Sequence, residues 1–321
     1  IEWLKRYLQN YENAFILISH DIPFLNSVVN LIYHVEERKL TRYVGDYDEF
    51  RRIYEENKRR LEAAYEKQQK EIARLEDFVA RNKANVATSN MAKSRQKKLD
   101  KMERIELSQE KPKPEFNFKM ARSSGKVIFE TKDLEIGYDK PLTKPLNLYM
   151  ERGQKIALVG ANGLGKSTLL KSLLGLIKPI SGTVERGDYQ YIGYFEQEDR
   201  EDNNNTCIEE VWQEFPSFTQ YEIRAALAKC GLTTKQLESK IRVLSGGEAA
   251  KVRLCKIINN ETNILILDEP TNHLDQDAKD ELKRAVKEYK GSVLLVSHEP
   301  EFYRDVVTDI WNCEDWTLKI T

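Results

Sequence analysis

The chain has 321 residues, of which 32% are charged, yet 51 Lys and Arg stand against 52 Asp and Glu for a formal net charge of -1. Such a balance fits a soluble chain of two domains or slightly more and by itself names no partner. No apolar run approaches the roughly 18 residues of a membrane span, no signal-peptide pattern opens the chain, and Cys207, Cys230, Cys255 and Cys313 lack CxxC or metal-ligand spacing, so they read as reduced, packed thiols in a cytosolic protein.

The first 45 residues predict a helix, a short buried strand at Ala14–Ile18, a Ser-His turn and another helix. The same order returns near the end. A shift of 278 positions aligns Leu4 with Leu282, Tyr11 with Tyr289, Ser19 with Ser297, His20 with His298, Phe24 with Phe302 and Val28 with Val306. A repeat of this size predicts two copies of one domain. Residues 1–45 are then the C-terminal remnant of the first copy, and residues 126–321 are a complete second copy. The offset places roughly 150 residues of the first copy before residue 1.

Residues 46–110 predict a helical hairpin. Asp46 or Asp48 supplies an N-cap. Positions 50–83 hold no Gly or Pro and are rich in Glu, Lys, Arg, Leu and Ala, which favours one long helix. Ile53, Leu61, Tyr65, Ile72, Leu75 and Val79 form its apolar stripe. A second helix is predicted from about Asn90 to Leu107. From Arg81 to Lys101 there are seven basic residues, including Lys93, Arg95, Lys97, Lys98 and Lys101, against the single acid Asp100. That bend is either an ordinary solubilising tip or a surface for a phosphate backbone. Residues 111–125, with the Lys-Pro-Lys-Pro run, predict an extended connector.

Residues 155–170 read KIALVGANGLGKSTLL: a buried strand, a P-loop and a helix starting near Lys166. Gly160, Gly163 and Gly165 let backbone N–H groups converge on phosphate oxygens at a helix N-terminus. Lys166 is expected on the β- and γ-phosphates, Thr168 at the α-phosphate, and Ser167 on Mg²⁺. Asn162 completes the loop's nucleotide-binding set. Residues 264–269 read ILILDE, a buried strand that releases two carboxylates at its C-terminal end. In a parallel sheet that end lies beside the P-loop. Asp268 is expected in the Mg²⁺ shell, and Glu269 is expected to polarise the attacking water.

Leu244–Glu248 reads LSGGE, Asp268–Asp275 reads DEPTNHLD, and His298 follows the strand of VLLVSHE. With Gln197 after the strand region and Tyr138 about two dozen residues before the P-loop, residues 126–321 resemble the ATP-binding-cassette family in order and spacing. The resemblance implies an α/β P-loop NTPase fold: a mostly parallel sheet, an antiparallel β subdomain and a helical subdomain, here with the hairpin linker added. It implies ATP and Mg²⁺ as cofactors and ATP hydrolysis as activity. Tyr138 resembles the aromatic that stacks on adenine, Gln197 the loop glutamine on Mg²⁺ and water, and His298 the switch histidine at the γ-phosphate. Ser245, Gly246, Gly247 and Glu248 resemble the signature that closes on a partner domain's nucleotide, and Asp275 the aspartate that crosses to that partner.

NHLD after DEPT, GDYDEF at 45–50 and MAKSRQKKLDKME at 91–103 resemble the F subfamily, whose members bind the ribosome near the tRNA exit site. The resemblance implies ribosomal RNA and P-site tRNA as partners of the hairpin, the first cassette of the same chain as a further partner, and a cytoplasmic location with no membrane. A head-to-tail dimer of this chain is the substitute arrangement. The moderate tip favours a general translation factor over an antibiotic-resistance ribosome-protection protein. The rival readings are an ATPase subunit of a transporter and a non-catalytic binding module.

Overall fold

The computed structural model describes residues 2–19, 21–36, 39–82, 89–105, 112–196 and 203–318. The chain divides into two units, residues 1–110 and 111–321.

In the first unit, helices α1 (Glu2–Gln9) and α2 (Ile22–Val28) precede the antiparallel strands β1 (Leu31–Glu36) and β2 (Lys39–Val44). Ser19 Oγ accepts from the Asp21 amide at 3.1 Å, and 278 positions later Ser297 Oγ accepts from the Glu299 amide at 3.1 Å. The buried strand expected at Ala14–Ile18 does not form. These residues lie outside any strand, and Ile16 and Ile18 are 97% and 91% exposed. A parallel-sheet strand needs neighbours to pair its backbone. Among the described residues of this unit, the only paired strands are β1 and β2, which pair with each other. His20 lies outside the described residues.

Helix α3 (Tyr47–Asn82) is capped by Asp46, whose carboxylate accepts from the Glu49 amide at 2.9 Å. Helix α4 (Ser89–Asp100) runs antiparallel to it. Lys98 pairs with Glu71 at 3.0 Å, and the Arg95 guanidinium lies 3.5 Å from the Phe78 ring centre. The second helix is shorter than expected, and Gln68 on α3 explains why. Its side chain donates to the Glu103 carbonyl and accepts from the Ile105 amide, both at 2.8 Å, holding that backbone out of the helix. The short partner covers only part of α3. Of the predicted stripe, Ile72 and Leu75 are buried, with Leu99 against them, whereas Leu61 is exposed. The hairpin bend at 83–88 lies outside the described residues.

The second unit begins with the segment expected to be a connector, which is part of this domain. Phe116 is fully buried, its amide donates to Glu281, and its carbonyl accepts from Arg284. Strand β3 (Lys119–Met120) then pairs with β9 (Glu261–Thr262). An antiparallel layer joins β4 (Val127–Glu135) to β5 (Tyr149–Glu151) and β7 (Ser181–Arg186). A five-stranded parallel sheet forms the centre. It contains β6 (Lys155–Val159), β8 (Ile192–Phe195), β10 (Ile264–Asp268), β11 (Ser292–Val296) and β12 (Asp309–Asn312), in the order β12-β6-β11-β10-β8. Leu265, Leu267, Val293 and Leu295 face one core, and Ile264, Ile266, Leu294 and Val296 face the other. Burial on both faces is why these strands read as unbroken apolar runs. Helix α5 (Lys166–Leu173) fills the second core. The first core is covered by α6 (Cys207–Glu214), α7 (Gln220–Lys229), α8 (Thr234–Leu237), α9 (Gly246–Asn259), α10 (Gln276–Glu288) and α11 (Pro300–Tyr303).

Helices α6 and α9 are joined by a half-buried ion pair. Lys256 Nζ lies 2.9 Å from Glu210 and 3.3 Å from Glu214. Burial alone would raise the Glu210 pKa, but hydrogen bonds from Asn203, Asn205 and Lys256 lower it from 4.5 to about 2. A lowered folded value means stability that is full above the unfolded value and lost as pH falls through about 4.5 towards 2. Glu210→Ala is expected to cost about 2 kcal/mol near neutrality, because it removes the closer of the two carboxylates on Lys256 and leaves only Glu214 at 3.3 Å. Thermal melts should show the gap between parent and variant narrowing across that acid window. A constant gap would remove the ion pair as its cause.

Candidate functional site

The parallel sheet places the predicted groups in one row. Leu158, Val296 and Asp268 lie level across β6, β11 and β10, and Phe195 of β8 lies level with Leu267. Just beyond that line come the P-loop, His298, Glu269 and Glu196. This is the edge where open α/β sheets bind ligands.

The P-loop turns through left-handed Gly160, Gly163 and Gly165. Gly165 has φ +86, and a Cβ there would meet Leu142 at 3.3 Å and Ile136 at 3.4 Å. The glycine therefore allows the turn that carries Tyr138 to pack on the loop. Tyr138 itself is 69% exposed, a ring free to stack. Asn162 and Ser167 are exposed, and Thr168 is buried at the start of α5. Lys166 is buried and donates to the carbonyls of Gly160 at 2.9 Å and Ala161 at 2.8 Å. Burial lowers its pKa, against the opposing pull of Glu269, Cys313 and Asp268.

Asp268 is buried. Burial raises its carboxyl above the ordinary value of 3.8 and Glu269 adds to the rise, while the Ser167 hydroxyl bond, Lys166 and Lys171 oppose it. Glu269 has φ +48, an uncommon left-handed conformation for a non-glycine residue. Its amide donates to the Val296 carbonyl at 3.0 Å, continuing the pairing of β10 with β11. Its carboxylate accepts from Asn272 at 2.5 Å and lies 3.1 Å from His298 Nε2. Ser167 with Asp268, and Glu269 with His298, are thus brought together at one edge.

The signature residues form a second cluster in the same domain. Ser245 caps α9 and exchanges hydrogen bonds with Glu248, a capping box. Burial favours the neutral form of Glu248, but bonds from Ser245 and Gln236, together with Lys251, hold its pKa below 4.5. A Cβ on Gly246 would lie 2.7 Å from the His273 ring, and one on Gly247 would strike the His273 carbonyl. Both glycines therefore let α9 begin against the loop that follows Asp268. Asp275 caps α10 and pairs with Lys251 at 2.7 Å, an intradomain role beside its expected crossing role.

Gln197 lies outside the described residues. In the first unit Lys93, Lys97 and Lys101 are exposed, whereas Arg95 and Lys98 are engaged with Phe78 and Glu71 within the hairpin. Sequence reasoning missed Asn272, Lys251 and Glu196. Asn272 stands inside DEPTNHLD, three residues after Glu269, and that spacing was the available signal.

This fold and this edge have the architecture of a P-loop domain of the ATP-binding-cassette type. Residues 143–272 match a family model described as ABC transporter, and residues 33–118 match a second model with the same description. The chain is 76% identical over 320 residues to the uncharacterized ABC transporter ATP-binding protein YfmM of Bacillus subtilis, covering 100% of this chain and 62% of that protein. It is 38% identical over 327 residues to ABC transporter F family member 5 of Arabidopsis thaliana, covering 99% of this chain and 47% of that one. A solved ABC transporter ATP-binding protein of Pyrococcus furiosus is 26% identical, covers 59% of this chain and 99% of its own, and has a TM-score of 0.47. The chain thus spans about half to three-fifths of the length of these curated relatives.

Proposed function

We propose that the protein is a cytoplasmic ATPase of the F subfamily that uses ATP to set its hairpin on ribosomal RNA near the tRNA exit site. The level row of strand ends carries the ATPase half of this reading. The residues fit Mg²⁺-ATP: Gly163 has open space where a side chain would stand, and the Ser167 hydroxyl with the Asp268 carboxylate is a hard-oxygen set suited to Mg²⁺ that keeps waters and phosphate oxygens as its other ligands. When bound, the metal offsets phosphate charge. Tyr138 stacks on the base, and Lys166 exchanges its loop carbonyls for phosphate oxygens. Glu269 orients the attacking water, and His298 steadies Glu269 and the γ-phosphate. Ser245–Gly247 serve the nucleotide of a second cassette, either the first cassette of a longer chain or a head-to-tail copy of this one.

The ribosome half rests on the F-subfamily resemblance and on exposed Lys93 and Lys97 of α4 with Lys101 just after it. Replacing Lys93, Lys97 and Lys101 by Gln is expected to leave ATP hydrolysis intact. Ribosome co-sedimentation should weaken, with a salt slope shallower by up to about 2–3 units of d log K/d log[salt]. An unaltered affinity and slope would leave α4 as a solvated helix. A transporter-subunit reading draws on the description shared by both family models. Among the described residues no helix is long and apolar enough to cross a membrane. Recovery with membranes, and none with ribosomes in either ATP or ADP, would favour the transporter-subunit reading.

A further inference from the structure

Glu196 touches two helices with different duties. Its carboxylate pairs with Lys171 of α5 at 2.6 Å, and its carbonyl accepts from the Arg253 guanidinium of α9 at 2.5 Å. The Arg253 guanidinium carbon also lies 4.8 Å over the centre of the ring of Phe195, the last residue of β8. Helix α5 opens with Lys166 of the P-loop, and α9 opens with the signature turn. Lys171 is half-buried, and the Glu196 bond raises its pKa, so it remains a cation.

We propose that Lys171, Glu196 and Arg253 form a strut of positioning residues that ties the tilt of the signature helix to the P-loop helix. A phosphate load on α5 thereby reaches the turn offered to the opposite nucleotide. The inference rests on the ATPase reading above and deepens it. Contacts in the strut are short and partly desolvated, so small displacements of α5 pass to the end of β8 and on to α9. Arg253 is suited to this because its forked guanidinium can hold a carbonyl while its delocalised charge sits over Phe195, which a lysine reproduces only in part.

The test uses the whole chain. Lys171→Glu and Glu196→Lys singly are expected to lower kcat about tenfold with the ATP dissociation constant and melting temperature nearly unchanged, since misplacement rather than lost contact is the defect. The combined swap re-forms the ion pair, leaves the Glu196 carbonyl in place, and should recover most of kcat. Hydrogen exchange at residues 246–250 should respond to added ATP in the parent and fail to respond in Arg253→Ala. Arg253→Lys should restore part of that response. Unaltered kcat in both single variants, a swap that rescues nothing, or an exchange response that survives in Arg253→Ala would each overturn the strut. If Glu269→Gln abolishes hydrolysis while the strut variants behave as parent, only this inference fails. If Glu269→Gln hydrolyses normally, the ATPase reading itself fails.

Discussion

Glu269→Gln is expected to retain ATP binding and lose hydrolysis by about 100-fold or more, because the phosphate and metal contacts survive while the group that orients water does not. The local geometry sharpens this expectation. Glu269 Oε2 is held by Asn272 at 2.5 Å, and Oε1 lies 3.1 Å from His298 Nε2. Gln keeps the shape and one acceptor, so Asn272 and the left-handed turn at φ +48 can persist. What is lost is the negative charge that accepts a proton from water and holds a histidine N–H. A nucleotide titration should give parent-like affinity, and single-turnover hydrolysis should be nearly absent. Hydrolysis at the parent rate would take Glu269 out of its role. In ribosome co-sedimentation the same variant should accumulate in the ATP-bound, ribosome-associated state.

Much of this edge was legible because the residues that build it are local. ILILD reads as a strand since four buried apolar residues face two cores, and the carboxylates must then emerge at its end. AFILI is equally apolar and is not a strand. Composition states what a segment can bury, and only the neighbouring chain decides whether it does. The length of α4 was illegible for a similar reason. Its stop depends on Gln68, some 35 residues earlier in the chain. The strut was hidden by sequence distance too: Arg253 meets a carbonyl 57 residues away, and backbone acceptors leave no trace in a sequence. Ser245 and Glu248, by contrast, carry a capping-box spacing that can be read without coordinates.

Asp268→Asn is expected to trade stability for function in opposite directions. The carboxyl of Asp268 is raised above 3.8, foremost by burial and next by Glu269, and the Ser167 bond with Lys166 and Lys171 does not fully offset this. A raised folded value means that the contribution of this acid is full below the unfolded pKa and is lost as pH rises through the folded one. Near neutrality the ionised carboxylate therefore weighs against the nucleotide-free fold. Asn removes the charge and still accepts from Ser167, so the nucleotide-free variant should melt higher, by about 1 kcal/mol or some 2–4 °C. The difference should shrink in acid, where the parent's Asp268 is itself neutral. With Mg²⁺-ATP the order should reverse. The parent gains stability by mass action as ligand rises above its dissociation constant, whereas the variant has lost the anionic oxygen of the Ser167–Asp268 set, and its hydrolysis should fall by about 100-fold or more. Paired thermal melts with and without Mg²⁺-ATP read both effects. A variant that melts lower without nucleotide, or gains as much as the parent with it, would show that Asp268 is a structural carboxylate and not a metal-facing one.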